Sequence, residues 1–179
     1  MKITLEQVTA RGACPAGLKY FTQNFGAEAE TDVIIKKLLD EKTTVSWIEW
    51  LAKEFKLTTV CKRWHEGGQL CSDYFYKNGE LEGNYKSWHE DGQLCSDYFY
   101  KNGERDGVCK EWYGNGQLYV ECFYKNGKKN GVCTCWHDNG QKRHECFCVN
   151  GEPEGVCRYW HEDGQLAHEC FYKNGEIIK

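Results

Sequence analysis

Proline is scarce in this chain, with two among 179 residues, at positions 15 and 153, against 19 glycines. Together with 15% aromatic residues, that balance suits short strands joined by glycine turns. No run of 18 apolar residues occurs, so no membrane span is expected. Neither sign of charge dominates. A net charge of −4 gives no global basic field for nucleic acid, and no basic segment to hold an anionic membrane. The opening residues, Met1 to Glu6, lack an apolar stretch of signal-peptide length, so a cytoplasmic location is expected. Phosphate-loop, nucleophile-elbow and zinc-protease frames are missing as well. Carboxylate pairs such as Glu90-Asp91 and Glu162-Asp163 fall in turns, where no pocket tunes them. No catalytic residue and no cofactor are therefore expected. Cys14, ahead of Pro15 at a helix start, is the lone weak candidate for a nucleophile.

Cysteine is abundant, at twelve residues. In an exported chain this would signal a disulfide framework. In a cytoplasmic one most of these residues read as small buried apolar side chains.

Residues 1–57 show helical spacing. Thr4 and Gln7 suit a capping box, and Pro15 opens a helix carrying Leu18, Phe21 and Phe25 that ends at Gly26. Thr31 is expected to cap a third helix, with Val33, Ile34, Leu38 and Leu39. A fourth is expected from Thr44 to Phe55, with Val45, Ile48, Leu51 and Ala52, its apolar face widened by Trp47 and Trp50.

From Thr58 the period changes. Tryptophan recurs at 64, 88, 112, 136 and 160, phenylalanine at 75, 99, 123, 147 and 171, and glutamine at 69, 93, 117, 141 and 165. Every step is 24 residues, the signature of a repeat array. Each copy holds two turn signals, such as Asp91-Gly92 after the tryptophan and Asn102-Gly103 after the phenylalanine. Both are expected to form type I′ turns. The fold class that follows is α+β: a helical segment over 1–57, then five β-hairpin repeats over 58–179, forming an elongated single-layer antiparallel meander. The helical segment is expected to cap the first edge of one sheet over about 58–173.

The stretch Phe123 to Gly131, with Val132 to Trp136 and Asn139-Gly140-Gln141, resembles the MORN-repeat family, closest to its bacterial and viral variant. The resemblance covers 61–179, and departures are few: Gly67 stands for Asn or Asp in the first copy, and Val149 for Lys in the fourth. It implies a sheet used for protein or lipid contacts, without catalytic residues. The N-terminal segment, with Arg11 to Cys14, Gly17-Leu18, Phe25-Gly26 and Trp47 to Leu51, resembles a small helical module at the front of phage proteins.

If Asp91-Gly92 is a two-residue turn, positions summing to 183 face one another. Tyr85 then opposes Tyr98, Ser87 opposes Ser96, Trp88 opposes Cys95 and His89 opposes Leu94. The Trp and Phe ladders share a face with Asp97, Glu121, Glu145 and Glu169. The same arithmetic pairs Cys109 with Cys122, Cys133 with Cys146, and Cys157 with Cys170, as non-hydrogen-bonded pairs. Disulfides are geometrically allowed there, but the compartment argues for twelve free thiols. Cys133, Cys135, His137, His144, Cys146 and Cys148 share one hairpin, enough donors for zinc. The ladder already accounts for Cys133 and Cys146, and no short zinc-type cysteine spacing is present, so no metal is expected. The histidines at 65, 89, 137 and 161 flank turns, a structural placement.

Most of the aromatic ladder is expected simply to hold the sheet together. A single-layer sheet nevertheless cannot hide both faces, and exposed aromatic surface marks interaction. The expected function is non-catalytic binding of another protein, of host or phage, to inhibit a host defence system. The expected binding residues are Trp88, Phe99, Trp112 and Phe123, with Lys110 and Glu121 beside them. The alternative is a small-molecule or nucleotide binder that stacks ligands on the aromatic ladders. The last strand, Gln165 to Tyr172, is expected to be an open edge that forms a homodimer.

Overall fold

The computed structural model describes residues 1–41 and 46–178. It opens with β1 (Lys2–Thr4), α1 (Leu5–Ala10), α2 (Pro15–Phe25), β2 (Glu28–Glu30), α3 (Thr31–Asp40) and α4 (Ser46–Glu54). Thr4 caps α1 in a capping box: its hydroxyl accepts from the Gln7 amide at 3.2 Å, and the Gln7 side chain accepts from the Thr4 amide at 3.0 Å. Pro15 stands at the start of α2, and Gly26 ends it with a positive φ of 70°. Two expectations shift. Glu30, not Thr31, is the N-cap of α3, because Thr31 already has helical geometry and its amide bonds the Met1 carbonyl. The fourth helix is described from Ser46, and the expected positions Thr44 and Val45 lie outside the described residues. β1 and β2 pair as a two-stranded ribbon that the helical spacing did not reveal.

The second part is one antiparallel sheet of 13 strands. In chain order these are β3 (Thr59–Trp64), β4 (Leu70–Lys77), β5 (Glu80–Leu81), β6 (Gly83–Trp88), β7 (Leu94–Lys101), β8 (Glu104–Arg105), β9 (Gly107–Trp112), β10 (Leu118–Lys125), β11 (Lys128–Trp136), β12 (Lys142–Val149), β13 (Glu152–Trp160), β14 (Leu166–Lys173) and β15 (Glu176–Ile178). The count exceeds two strands per repeat because Glu82 and Asp106 interrupt the first two connections, splitting off β5 and β8, and because β15 is added at the end.

The two turns of each repeat differ, contrary to expectation. After the phenylalanine, both Asn102 and Gly103 have positive φ, 50° and 80°, as a type I′ turn requires. After the tryptophan, Gly92 has φ 84° but Asp91 does not lie in that region. The Gly92 and His89 backbones bond instead as a longer turn, with the His89 amide donating to Gln93 O at 2.9 Å. The Asp91 carboxylate accepts from the Gln93 amide at 2.9 Å, and Asn115, Asn139 and Asp163 repeat that bond. A bulge follows, so Trp88 faces Leu94 rather than Cys95, and the expected His89–Leu94 pair does not form. Beyond the bulge the arithmetic holds, and Tyr85 faces Tyr98 and Ser87 faces Ser96.

Successive turns are stitched together. Gly79, Gly103, Gly127, Gly151 and Gly175 each donate a backbone hydrogen bond one repeat back, to Leu57, Leu81, Arg105, Lys129 and Pro153. Along the opposite margin, His65 and His137 reach the carbonyls of Trp88 and Trp160 at 2.9 and 3.0 Å, and the Tyr113 hydroxyl donates to that of Trp136 at 2.8 Å. Those turn-flanking side chains therefore join each repeat to the next.

The largest core lies where helices meet sheet. Ile3, Val8, Phe21, Ile34, Leu38, Ile48, Leu51 and Ala52 bury against Cys61, Tyr74 and Tyr76. The Tyr74 hydroxyl donates to Glu49 of α4. The helical segment therefore covers a face of the first hairpin, where it was expected to cap the edge. An open two-layer contact buries more apolar surface than backbone capping does, and burial dominates the energetics.

Candidate binding faces of the repeat sheet

Strand alternation sorts the repeat residues onto two faces. One carries a row that begins Cys61, Tyr74, Tyr85, Tyr98 and continues Cys109, Cys122, Cys133, Cys146, Cys157, Cys170, with Cys61 opposite Tyr74, Tyr85 opposite Tyr98, Cys122 between Cys109 and Cys133, Cys133 opposite Cys146, and Cys157 opposite Cys170. This cysteine face is the better buried: Cys61, Cys109, Cys122, Cys133, Cys146 and Cys157 are all buried. The tyrosines stack, Tyr74 on Tyr85 at 5.1 Å and Tyr85 on Tyr98 at 5.8 Å between ring centroids.

The sulfur pairing corrects two expectations. Disulfides join Cys122 to Cys133 and Cys146 to Cys157, one strand along from the expected partners. Eight cysteines remain free, Cys109 and Cys170 among them, rather than all twelve. The bulge after each tryptophan is the cause. It inverts hydrogen-bonding parity, so Cys122–Cys133 and Cys146–Cys157, with Cα atoms 4.2 and 4.4 Å apart, are the close non-hydrogen-bonded pairs. A residue closely paired with one neighbour directs its amide and carbonyl at the other, so Cys109–Cys122 is the wider, hydrogen-bonded pair.

The central part of this face holds a groove of about 420 Å³ lined by Tyr85, Ser96, Tyr98, Tyr100, Arg105 and Glu111, among others. The Arg105 guanidinium lies 4.0 Å from the Tyr98 ring centroid and 5.4 Å from that of Tyr124. The Tyr98 hydroxyl donates to the Glu111 carboxylate at 2.5 Å; burial first, and then that bond, push the phenol well above its usual range. Toward the far end, His144 stacks on Tyr159 at 4.5 Å and Tyr159 on His168 at 4.3 Å. Burial, with Lys129 and Arg143 nearby, pushes the His144 imidazole down.

The opposite face gathers the expected binding residues. Trp88 and Trp112 are half-buried at the start of each bulge, while Phe99 and Phe123 are each 43% exposed. Lys110 Nζ lies 2.9 Å from Glu121, and the bond recurs as Lys62–Asp73, Lys86–Asp97 and Arg158–Glu169. These pairs are exposed, so each is worth at most about 1 kcal/mol; they keep the face soluble more than they hold it together. The residues not singled out from the sequence are the valines opposite the phenylalanines. Val60 faces Phe75, Val108 faces Phe123, Val132 faces Phe147 and Val156 faces Phe171. Val108 and Val132 are 46% and 54% exposed. Pairing arithmetic would have found them, since Val108 and Phe123 sum to the same 231 as Cys109 and Cys122. Only Asn84, opposite Phe99, interrupts the row.

Two other candidates settle differently. Cys14 is the exposed N-cap of α2, beside a depression of about 220 Å³ lined by Gly12, Ala13, Trp47 and Trp50. Two of the six donors on the fourth hairpin are already engaged. His137 is taken by the Trp160 carbonyl and Cys133 by Cys122, because the turn margins and the shifted parity claim them. Among the described residues no helix is long and apolar enough to cross a membrane.

A search of the curated proteins finds no match to this chain. Among solved structures, TarM matches at 11% identity and TM-score 0.35, over 98% of this chain and 30% of that one. TarM of S. aureus, as a mutant in complex with Fondaparinux, alpha-GlcNAc-glycerol and UDP, matches at 10% identity and TM-score 0.36. This chain thus spans about a third of the length of those proteins, 30% and 31%, and a likeness at this level carries no argument. The family described as MORN repeat variant matches at residues 57–78, 81–102, 105–126 and 153–174, passing over the cysteine-rich fourth copy. With that frame kept at four places along one continuous hairpin sheet, the chain belongs to the MORN repeat variant family.

Proposed function

We propose that this protein is a non-catalytic binder that engages another protein through the valine–phenylalanine face of its repeats. The observation that carries the reading is the row of exposed Val–Phe pairs, flanked by a parallel row of ion pairs. A partner lying along it meets the same apolar and charged pattern every two strands, about 10 Å apart. Three repeats together approach the roughly 800 Å² per side that specific interfaces need. Membership of a family of interaction repeats supports the same reading. The finer reading is a phage-encoded inhibitor of a host defence protein, resting on the resemblance of the helical segment, with the cytoplasm as its compartment.

The deciding experiment captures partners from lysate with the parent chain and with variants on each face. Phe99→Ser with Phe123→Ser alters one face, and Arg105→Gln the other. Loss of the same identified partner with the first alone supports the proposal; loss with neither moves the site to the helical segment.

A second reading is favoured by the Tyr98–Arg105 groove, a stacking platform with a cation in it, suited to a nucleotide or another aromatic anion. Tyrosine fluorescence titrated with mononucleotides tests it, and Arg105→Gln should abolish any saturable response.

A further inference from the structure

We propose that His144, Cys146 and Cys157 form a binding site for a soft divalent cation, zinc above all, on the cysteine face where the fourth repeat meets the fifth, open when Cys146 and Cys157 are reduced. One donor atom from each of the three residues lies within 4.8 Å of the others. Around a tetrahedral zinc with bonds of about 2.0–2.3 Å, donors stand roughly 3.5 Å apart, so small side-chain adjustments close the set. His144 and Cys146 are two apart on β12 and share a face, and Cys157 stands beside Cys146 on β13. Three protein ligands leave the fourth position to water.

Two independent observations point to a ligand. The Nε2 atom of His144 is buried and has no hydrogen-bond partner. Burying such an atom without a partner is unfavourable, and a bound cation would satisfy it. His65 and His137, by contrast, spend Nε2 on the carbonyl of the next repeat's tryptophan. The second observation is an internal comparison. The equivalent triples one, two and three repeats earlier are Val120, Cys122, Cys133; Ser96, Tyr98, Cys109; and Ser72, Tyr74, Tyr85. None of those three triples carries the full donor set, which joins His144 and Cys146, in the copy that the family frame passes over, to Cys157 of the copy after it.

The same two sulfurs serve a disulfide or a metal, but not both. A phosphine reductant supplies two electrons to the Cys146–Cys157 bond, each sulfur takes up a proton, and the phosphine leaves as its oxide with oxygen from water. Metal binding then displaces the thiol protons.

The test uses the full chain, reduced with phosphine, desalted without oxygen and titrated with zinc against a chromophoric chelator. Cobalt serves as a spectroscopic probe of tetrahedral thiolate ligation. The expected result is one high-affinity site per chain, absent from the oxidised chain. His144→Val copies the residue at position 120, so it should leave the melting temperature of the metal-free chain intact while weakening binding at least about 100-fold, beyond the loss typical of a supporting residue. Val120→His completes the third repeat's triple and should add a second site. The proposal is overturned if the reduced chain binds no metal, or if His144→Val and Cys157→Ser bind as tightly as the parent, the result expected of adventitious thiol binding elsewhere.

Discussion

Val108 stands directly opposite Phe123 on neighbouring strands, and each keeps more than two-fifths of its surface in water, 46% and 43%. The backbone of Gly131 lies beneath Phe123: a Cβ there would sit 3.4 Å from the phenylalanine Cβ. The ring is thus braced from below and open above. Phe123→Ser should therefore cost about 1 kcal/mol or less in stability, the scale of one cross-strand pair. It should weaken partner binding tenfold or more if the ring is an anchor. Thermal melting and affinity measured on the same preparation separate the two effects.

Gly17 makes a sharper packing prediction. A Cβ at this position in α2 would fall 1.1 Å from the Trp47 ring. Alanine gains up to about 1 kcal/mol of helix propensity, whereas overpacking costs about 1–3 kcal/mol. Gly17→Ala should therefore be net destabilising, and Trp47→Leu in the same chain should recover part of the loss. Denaturant midpoints of the single and double variants decide it.

The junction of helices and sheet should be sensitive to alkali. Burial, with Glu49 and Asp73 nearby, pushes the Cys61 thiol up to about 12, and burial with Glu49 pushes Tyr76 to about 12; Tyr74 rises further in the same direction. An unfolded chain loses the thiol proton near 9.0, the ordinary value for a cysteine. The stabilising contribution of Cys61 is therefore complete below about pH 9 and disappears as pH rises toward 12. Urea midpoints should fall across that window, and Cys61→Val should remove the thiol's share. Ultraviolet titration should show fewer than the 11 tyrosines ionising before the chain unfolds. Ordinary ionisation of all of them in the folded chain would contradict the burial argument.

Peptide mapping of the oxidised chain should recover Cys122 linked to Cys133 and Cys146 linked to Cys157, while the buried Cys61 should resist alkylation and the exposed Cys14 should react. A Cys109–Cys122 linkage would show that the bulge does not set the parity assigned to it.

The far end should govern assembly. β15 pairs with β14 only from Phe171 to Lys173, so among the described residues Leu166 to Cys170 have no strand on their outer side. An open edge of this kind invites a second copy. Light scattering should show a dimer, and Leu166→Lys with Ala167→Lys should return it to a monomer. A parent chain that stays monomeric at every concentration would refute the contact.

The sequence by itself determined the repeat, its length, the existence of two turns per copy and the assignment of Phe99, Phe123, Lys110 and Glu121 to one face. Those features are local: a turn needs particular φ values, and alternation along a strand leaves a side chain no choice of face. The capping box at Thr4 and the start of α2 at Pro15 were legible for the same reason. Tertiary structure alone decided which cysteines bond, because one bulged residue after each tryptophan reverses the hydrogen-bonding parity while leaving the face unchanged. It also decided that the helices lie on a face of the first hairpin, since nothing in a helical period states what its apolar side meets. The grouping of His144, Cys146 and Cys157 has the same origin: donors on two strands become neighbours only once the register across the turn between them is fixed.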